Sequence, residues 1–409
     1  MHTLVARQAI LDRHRNVYGY ELLYRSDALN NAFDGTEAFA ATMQVLSNML
    51  MSIGADKLLA GKKAFVNFDH RLLEANIYLT LPPESFVIEI LETVEPTAEL
   101  LSLCRSMQQL GYSLALDDFT DAPDFAPLAG IANVIKVDIR QSSREDQKHM
   151  LAAYKPRGVL MLAEKVETYA EFEWALNDGY DLFQGYFFAR PEVVQGPRIQ
   201  AFSPTCLQLL RETQKHELVF GRLTELIRGD PSITYKLLRY VNSALFARRT
   251  KIHSISQALV EMGEYNIRFW VTLATLPMLA TNKPSELMKL SLVRARFCEK
   301  LALLAHFRTP QDAFLMGMFS LLDALADQSL DQVLRSLELR GEVADALLGI
   351  GRDDDFLTCS YRLVGAYEQG NWDEAERLAE KCRIPRAAVG PAYVDSTIWA
   401  EQILHLVAL

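Results

Sequence analysis

Asn133-Val134-Ile135-Lys136-Val137-Asp138 sets the reading of the first half of the chain. Its β-branched residues mark a strand, and a strand this apolar belongs in a buried, parallel sheet. Lys136 is the exception within it. The same texture recurs on both sides: Ala64–Phe68, Phe86–Ile90 and Tyr112–Leu116 before it, Gly158–Ala163 and Asp181–Phe188 after it. Thr36–Leu59, Ala98–Leu110 and Tyr169–Leu176 carry apolar residues at helical spacing between these runs. Strands alternating with helices over so short a span predict a TIM-like (β/α)8 barrel rather than an open sheet.

Ala189–Pro204 breaks the pattern with three prolines and no period, and reads as a linker. Beyond it the texture is helical, with Cys206–Gln214, Gly221–Arg228, Ile233–Leu245, Ile255–Met262 and Ile267–Leu276 all fitting helical spacing. Asp230-Pro231-Ser232 is a helix start with Asp230 placed to cap, and Asn371 is placed to cap another. The expected class is therefore α/β plus all-α: a barrel over 1–190, a linker over 191–203 and an all-helical domain over 204–409.

The chain has 409 residues, is 50% hydrophobic and 23% charged, and carries a net charge of −10. That length exceeds one ordinary core and agrees with two domains. The acidic balance speaks against a protein built to coat nucleic acid. Lys236, Arg239, Arg248, Arg249 and Lys251 do cluster, and are read as a solvated helix face. Cys104, Cys206, Cys298, Cys359 and Cys382 are scattered, without a Cys-x-x-Cys pair, which predicts a reducing compartment. Met1–Arg7 lacks the pattern of a signal peptide, and the most apolar run, Phe269–Ala280, is short and holds Pro277. The expectation is a cytoplasmic protein with no membrane association.

Polar residues recur at the ends of the first domain's strands. Glu21 lies in the early strand Tyr18–Tyr24, Asn67 follows Val66, Glu89 follows Ile88, and Asp117 and Asp118 follow Leu116. Lys136 lies within its strand, Glu164 follows Ala163, and Gln184 follows Phe183. Any one of them alone reads as a strand-end cap or a salt bridge. Recurrence once per strand points instead to one cavity, because strand C-terminal ends of a β/α barrel converge on one face. Five carboxylates in one cavity need neutralising. Oxygen donors without His or Cys favour Mg²⁺ or Mn²⁺, and two such ions suit transfer of a phosphoryl group to water.

These same stretches resemble the EAL family of cyclic di-GMP phosphodiesterases. The matching segments are Glu21-Leu22-Leu23-Tyr24-Arg25, with Leu22 in place of Ala, Val66-Asn67-Phe68, Glu89-Ile90-Leu91-Glu92, Asp117-Asp118-Phe119, Lys136-Val137-Asp138, Ala163-Glu164-Lys165-Val166-Glu167 and Gln184-Gly185-Tyr186. The resemblance implies that Glu21, Asn67, Glu89, Asp117, Asp118 and Glu164 hold two Mg²⁺ or Mn²⁺ ions. It implies catalytic roles for Lys136, Glu164 and Asp118, a supporting role for Gln184, and a substrate-phosphate contact for Arg25. The implied reaction is hydrolysis of cyclic di-GMP to pGpG by a homodimer. Two departures stand out. Thr120-Asp121-Ala122-Pro123-Asp124 replaces a glycine-rich loop, and Lys165 replaces a glycine beside Glu164. An active enzyme with a rebuilt loop, a receptor that binds without turnover, and a domain that has lost its ligand therefore all stay open.

The second half resembles the HDOD domain, a helical relative of the HD phosphohydrolases, through Leu223–Leu245 and through Ser254–Leu259 with Met262-Gly263. HD hydrolases bind metal through an adjacent His-Asp pair, and this chain has none; Ser320-Leu321 falls where relatives carry it. His253 and His306 lack ligand partners at metal spacing. This half is expected to be a non-catalytic module that contacts a protein partner.

Overall fold

The computed structural model describes residues 3–26, 59–190, 204–215, 217–242, 252, 254–279, 283–337, 339 and 341–407. The expected helix Thr36–Leu59 and linker Ala189–Pro204 fall almost wholly outside these residues, as do His253, Arg248, Arg249 and Lys251.

Eight strands close into a barrel: β1 (Thr3–Asp12), β2 (Val17–Ser26), β3 (Lys63–Phe68), β4 (Phe86–Ile90), β5 (Ser113–Leu116), β6 (Val134–Asp138), β7 (Leu160–Glu164) and β8 (Leu182–Gln184). Neighbours from β2 to β8 pair in parallel. β1 departs from the expected all-parallel sheet, running antiparallel to both β2 and β8. The cause is local. Asp12 accepts hydrogen bonds from the backbone N–H groups of His14 and Asn16, and Arg15 takes φ 63°, which turns β1 back on itself as a hairpin. β8 is shorter than the run Asp181–Phe188, whose end forms the 3-10 turn Phe187–Ala189.

Seven of the strands give a side chain to an apolar layer inside the barrel: Ile10, Phe65, Val87, Ala115, Val134, Leu162 and Leu182 form one buried cluster, and Tyr18 of β2 packs against it. The opposite faces of the strands join a second core shared with the surrounding helices, among them Ala98–Gln109, Arg144–Tyr154 and Tyr169–Asp178. Strand side chains alternate in direction, so residues two places beyond the inner layer also point inward. That geometry positions the site.

The chain divides into two compact units. Met1–Arg190 and Arg362–Ile398 form one, and Pro191–Tyr361 and Trp399–Leu409 form the other. The stretch expected as a single helical domain over 204–409 is therefore split, and part of it joins the barrel's unit. There, Tyr367 is buried against Trp372 and Tyr393, and its hydroxyl donates to the Val5 carbonyl at 3.0 Å and accepts from the Val5 N–H at 3.2 Å. β8 pairs only Ile10–Asp12 of β1, so Tyr367 satisfies an edge that β8 does not reach.

In the second unit, Asp230 caps Pro231–Val241 by accepting from the Ile233 N–H at 3.1 Å. Ile255–Leu279 is two helical stretches meeting at a kink at Gly263, φ 72°. Asn242 fixes Ile252 by a reciprocal pair of 2.8 Å hydrogen bonds, so the Asn of the Asn-Ser motif acts here as a staple. Gly317 lets Pro310–Phe319 press on Ser285–Leu304; a Cβ there would stand 2.6 Å from the Ala295 nitrogen. Ser320 and Leu321 are buried, and Arg294 donates to the Ser320 hydroxyl at 3.2 Å.

Candidate active site

Above the apolar layer stands a second layer built by the same pleat. Asn67, Glu89, Asp117, Lys136, Glu164 and Gln184 each lie two residues beyond Phe65, Val87, Ala115, Val134, Leu162 and Leu182. Glu21 lies two beyond Gly19, and a Cβ on Gly19 would stand 3.0 Å from the Phe65 ring. β1 runs the other way, so its contribution is Gln8, two residues before Ile10. Gln8 was not foreseen; its signal, one polar residue in step with an apolar alternation, is legible only once the strand's direction is known. Every strand thus adds one polar or charged side chain.

Lys136 is the centre of this layer. Its ammonium lies 2.8 Å from Glu164 Oε1, 2.9 Å from Asp117 Oδ1 and 3.5 Å from Glu21 Oε2, and also contacts Glu89 Oε1. Asn67 donates to Glu21 at 3.1 Å, and Gln184 donates to Glu21 and, at 2.9 Å, to Gln8. Glu89 is fully buried, Lys136 is 1% exposed and Glu164 is 7% exposed.

The electrostatics follow from four carboxylates around one ammonium. Burial drives the Glu89 carboxyl well above the usual carboxylate range, against the pull of Lys136 and with the push of Glu21 and Asp117. Burial likewise lifts Glu164 to about 8 despite Lys136. Burial also raises Glu21, but Lys136 and the hydrogen bonds from Gln184 and Asn67 outweigh it and leave the group lowered. For Lys136 burial opposes the charge, yet the surrounding carboxylates hold it well above the ordinary lysine range.

Asp118 lies apart from this centre. It follows β5 with φ 38°, and its Oδ1 stands 3.8 Å from Lys165 Nζ. Burial raises its carboxyl, with Lys165 opposing. Lys165, at φ 56°, donates to Asp138 Oδ2 at 2.5 Å. Arg25 pairs opposite Leu4 near the end of β2, and its side chain lies outside the described residues.

The loop after Asp118 is held by side chains. The Phe119 N–H donates to the Lys136 carbonyl at 3.0 Å, Tyr154 donates to Asp121 at 2.5 Å, and His149 stands 3.3 Å from the other oxygen of Asp121. Ala122 is extended (φ −75°), and Thr120 is absent from the residues with positive φ. The glycine that is needed is Gly185. Its φ is 147°, and a Cβ there would stand 2.6 Å from the backbone N and C of Val166.

Among the described residues, no three His, Cys, Asp or Glu side chains stand together at metal-ligating positions; Lys136 occupies the carboxylate oxygens instead. The donor set nevertheless fits a hard divalent cation. It is all oxygen, its carboxylates outnumber its lysines, and Glu89 Oε2 and Gln184 Oε1 are buried without a hydrogen-bond partner.

The closed barrel with a carboxylate-rich layer at its strand ends agrees with the resemblance to the EAL family. The profile of the EAL domain matches residues 6–191, and that of the HDOD domain matches residues 199–338. Over 99% of this chain and 99% of its own length, the uncharacterized protein YuxH of Bacillus subtilis is 34% identical. The cyclic di-GMP phosphodiesterase CdgJ of Vibrio cholerae serotype O1 is 35% identical over 99% of this chain and 94% of its own length. A crystal structure of a standalone EAL protein from Vibrio cholerae, in its c-di-GMP-bound form, is 26% identical, covers 47% of this chain and 92% of its own, and has a TM-score of 0.37. The chain belongs to the family of EAL–HDOD two-domain proteins. Among the described residues, no helix is long and apolar enough to cross a membrane.

Proposed function

We propose that the barrel binds cyclic di-GMP and hydrolyses one of its phosphodiester bonds to give linear pGpG, in a cytoplasmic signalling protein. The observation that carries this reading is the layer of polar side chains, one from every strand, gathered around Lys136. The relative CdgJ, similar along nearly the whole chain, is a cyclic di-GMP phosphodiesterase by name.

Glu21, Asn67, Glu89, Asp117, Asp118 and Glu164 would hold two Mg²⁺ or Mn²⁺ ions. Such ions, when bound, supply an activated water and neutralise the phosphate charge. The chain's own residues do the rest. One of Glu164 and Asp118 would take the proton of the attacking water as its oxygen bonds to phosphorus, and the departing ribose oxygen would take up a proton as the ester bond breaks. Lys136 balances the charge that builds on the phosphoryl oxygens as the ester bond breaks. Gln184 keeps Glu21 oriented by donating to it, and Gln8 does the same for Gln184. Arg25 offers a guanidinium fork to the substrate phosphate. The HDOD half is a non-catalytic module that contacts a protein partner, and the chain is a homodimer.

A second reading is a receptor that binds the nucleotide without turnover, or an interaction scaffold that has lost it. Lys165 beside Asp118 is the observation that favours it. Purified protein incubated with cyclic di-GMP and Mn²⁺ separates them. Formation of pGpG, abolished in Glu21→Ala, supports the enzyme. Tight binding without product supports the receptor, and neither binding nor product refutes both nucleotide readings.

A further inference from the structure

The turn after β7 places a lysine where the backbone favours glycine. Lys165 has φ 56°, in the left-handed region that a side chain disfavours. Its ammonium is nonetheless anchored. It donates to Asp138 Oδ2 at 2.5 Å, and Asp138, 4% exposed, is itself fixed by the Arg140 N–H at 2.8 Å and the Gln141 N–H at 3.2 Å. From that anchor the ammonium stands 3.8 Å from Asp118 Oδ1, a buried oxygen that accepts no hydrogen bond.

The strand ends thus hold two groups of charge. Glu21, Glu89, Asp117 and Glu164 face Lys136. Asp118 and Asp138 face Lys165. With all six carboxyls ionised, as bound ions would require, six carboxylates against two ammonium groups leave a formal charge of −4, which two divalent ions would cancel. Without Lys165 the same count gives −5, and the whole difference falls beside Asp118.

We propose that Lys165 is a tethered cation that competes with a divalent ion for Asp118, so that the two ion positions differ in affinity. The position among Glu21, Glu89, Asp117 and Glu164 keeps a formal charge of −3 with Lys136 in place, against −1 for Asp118 and Asp138 with Lys165, and so fills first. The position that uses Asp118 fills only when the ion displaces the Lys165 ammonium. Lys165 is 48% exposed on its side chain, so it can swing aside. The lysine then acts as a threshold on the second ion. This inference rests on the metal-binding reading proposed above.

Mn²⁺ titration of the full chain, with free Mn²⁺ counted by its EPR signal, tests it without reference to activity. Wild type should show a tight and a weak site. Lys165→Met should tighten the weak site by about tenfold or more, an effect kept below the full Coulomb value because the lysine is half exposed. It should leave the tight site unchanged. Lys165→Arg should behave as wild type. Lys165→Gly removes the charge while easing the backbone, and should match Lys165→Met; it serves where the methionine variant does not fold. Superimposed wild-type and Lys165→Met or Lys165→Gly isotherms, or two equal sites in wild type, overturn the proposal and leave the metal reading standing. Absence of Mn²⁺ binding in every variant overturns both.

Discussion

Replacing Lys136 by Met removes the only ammonium that contacts Glu21, Glu89, Asp117 and Glu164 among the described residues. Methionine fills similar space without charge. Glu89 is fully buried and cannot reach water, so the carboxyl groups around Lys136 lose their counter-ion at once. Removing one partner of a buried ion pair costs about 3–5 kcal/mol. Glu89 and Glu164 already have raised proton affinities and can neutralise by taking up protons, which places the expected loss near the lower bound, about 3 kcal/mol. At roughly 2–4 °C per kcal/mol for a unit of this size, the barrel should melt about 10 °C lower in EDTA. Mn²⁺ should then stabilise Lys136→Met by more than it stabilises wild type, because carboxylates vacated by the ammonium are open to the ion. A thermal melt with and without Mn²⁺ reads both effects. Melting within about 2 °C of wild type in EDTA, where ~6 °C is the least the argument allows, would refute the claim that Lys136 neutralises this layer.

Gly185→Ala places a Cβ against the Val166 backbone at φ 147°, and should cost at least about 3 kcal/mol and disturb Gln184; soluble yield and melting temperature check it. Tyr367→Phe leaves the Val5 N–H and carbonyl without their side-chain partner, and should destabilise the barrel's unit by about 1–3 kcal/mol in urea unfolding. Glu171 closes a capping box with Thr168 and also accepts from the Glu167 N–H. Burial raises its carboxyl, but these backbone donors and Arg140 outweigh it, so the folded value is lowered. Its stabilisation is therefore present above the unfolded value of about 4.3 and is lost as pH falls through the lowered folded value. Wild type should exceed Glu171→Gln by roughly 1 kcal/mol at pH 7, with the two converging in acid; a difference that persists at pH 2 would contradict this.

Strands β3 to β7 were legible because each is a largely apolar run, β4 and β6 buried throughout and the others nearly so, which sequence texture reports directly. β1 was not, because Arg7 and Gln8 interrupt it. The structure shows why they are tolerated: Arg7 lies over the Tyr20 ring at 4.2 Å, and Gln8 turns inward to meet Gln184. The polar layer could be inferred from polar residues at strand ends, but the pull of Lys136 on four carboxylates could not, since it depends on rotamers and depth. The place of Arg362–Ile398 was hidden for another reason. Helical periodicity reports that a face is buried, not what it is buried against, and the bond from Tyr367 to Val5 spans 362 positions.

The loop after Asp118 is where sequence and structure differ most usefully. Loss of two glycines suggested a loop that could no longer reach its conformation. The structure meets the need otherwise. Positive φ falls on Asp118, a residue type that tolerates it, and Ala122 stays extended. Order comes from Asp121, held by Tyr154 and His149, and from the Phe119 N–H on the Lys136 strand. A glycine-rich loop can adopt several arrangements, whereas a loop pinned through Asp121 has fewer. Missing glycine is therefore not evidence of a lost site. On the reading proposed above, enzyme and receptor would be separated by charge, where Lys165 stands against Asp118, rather than by the backbone.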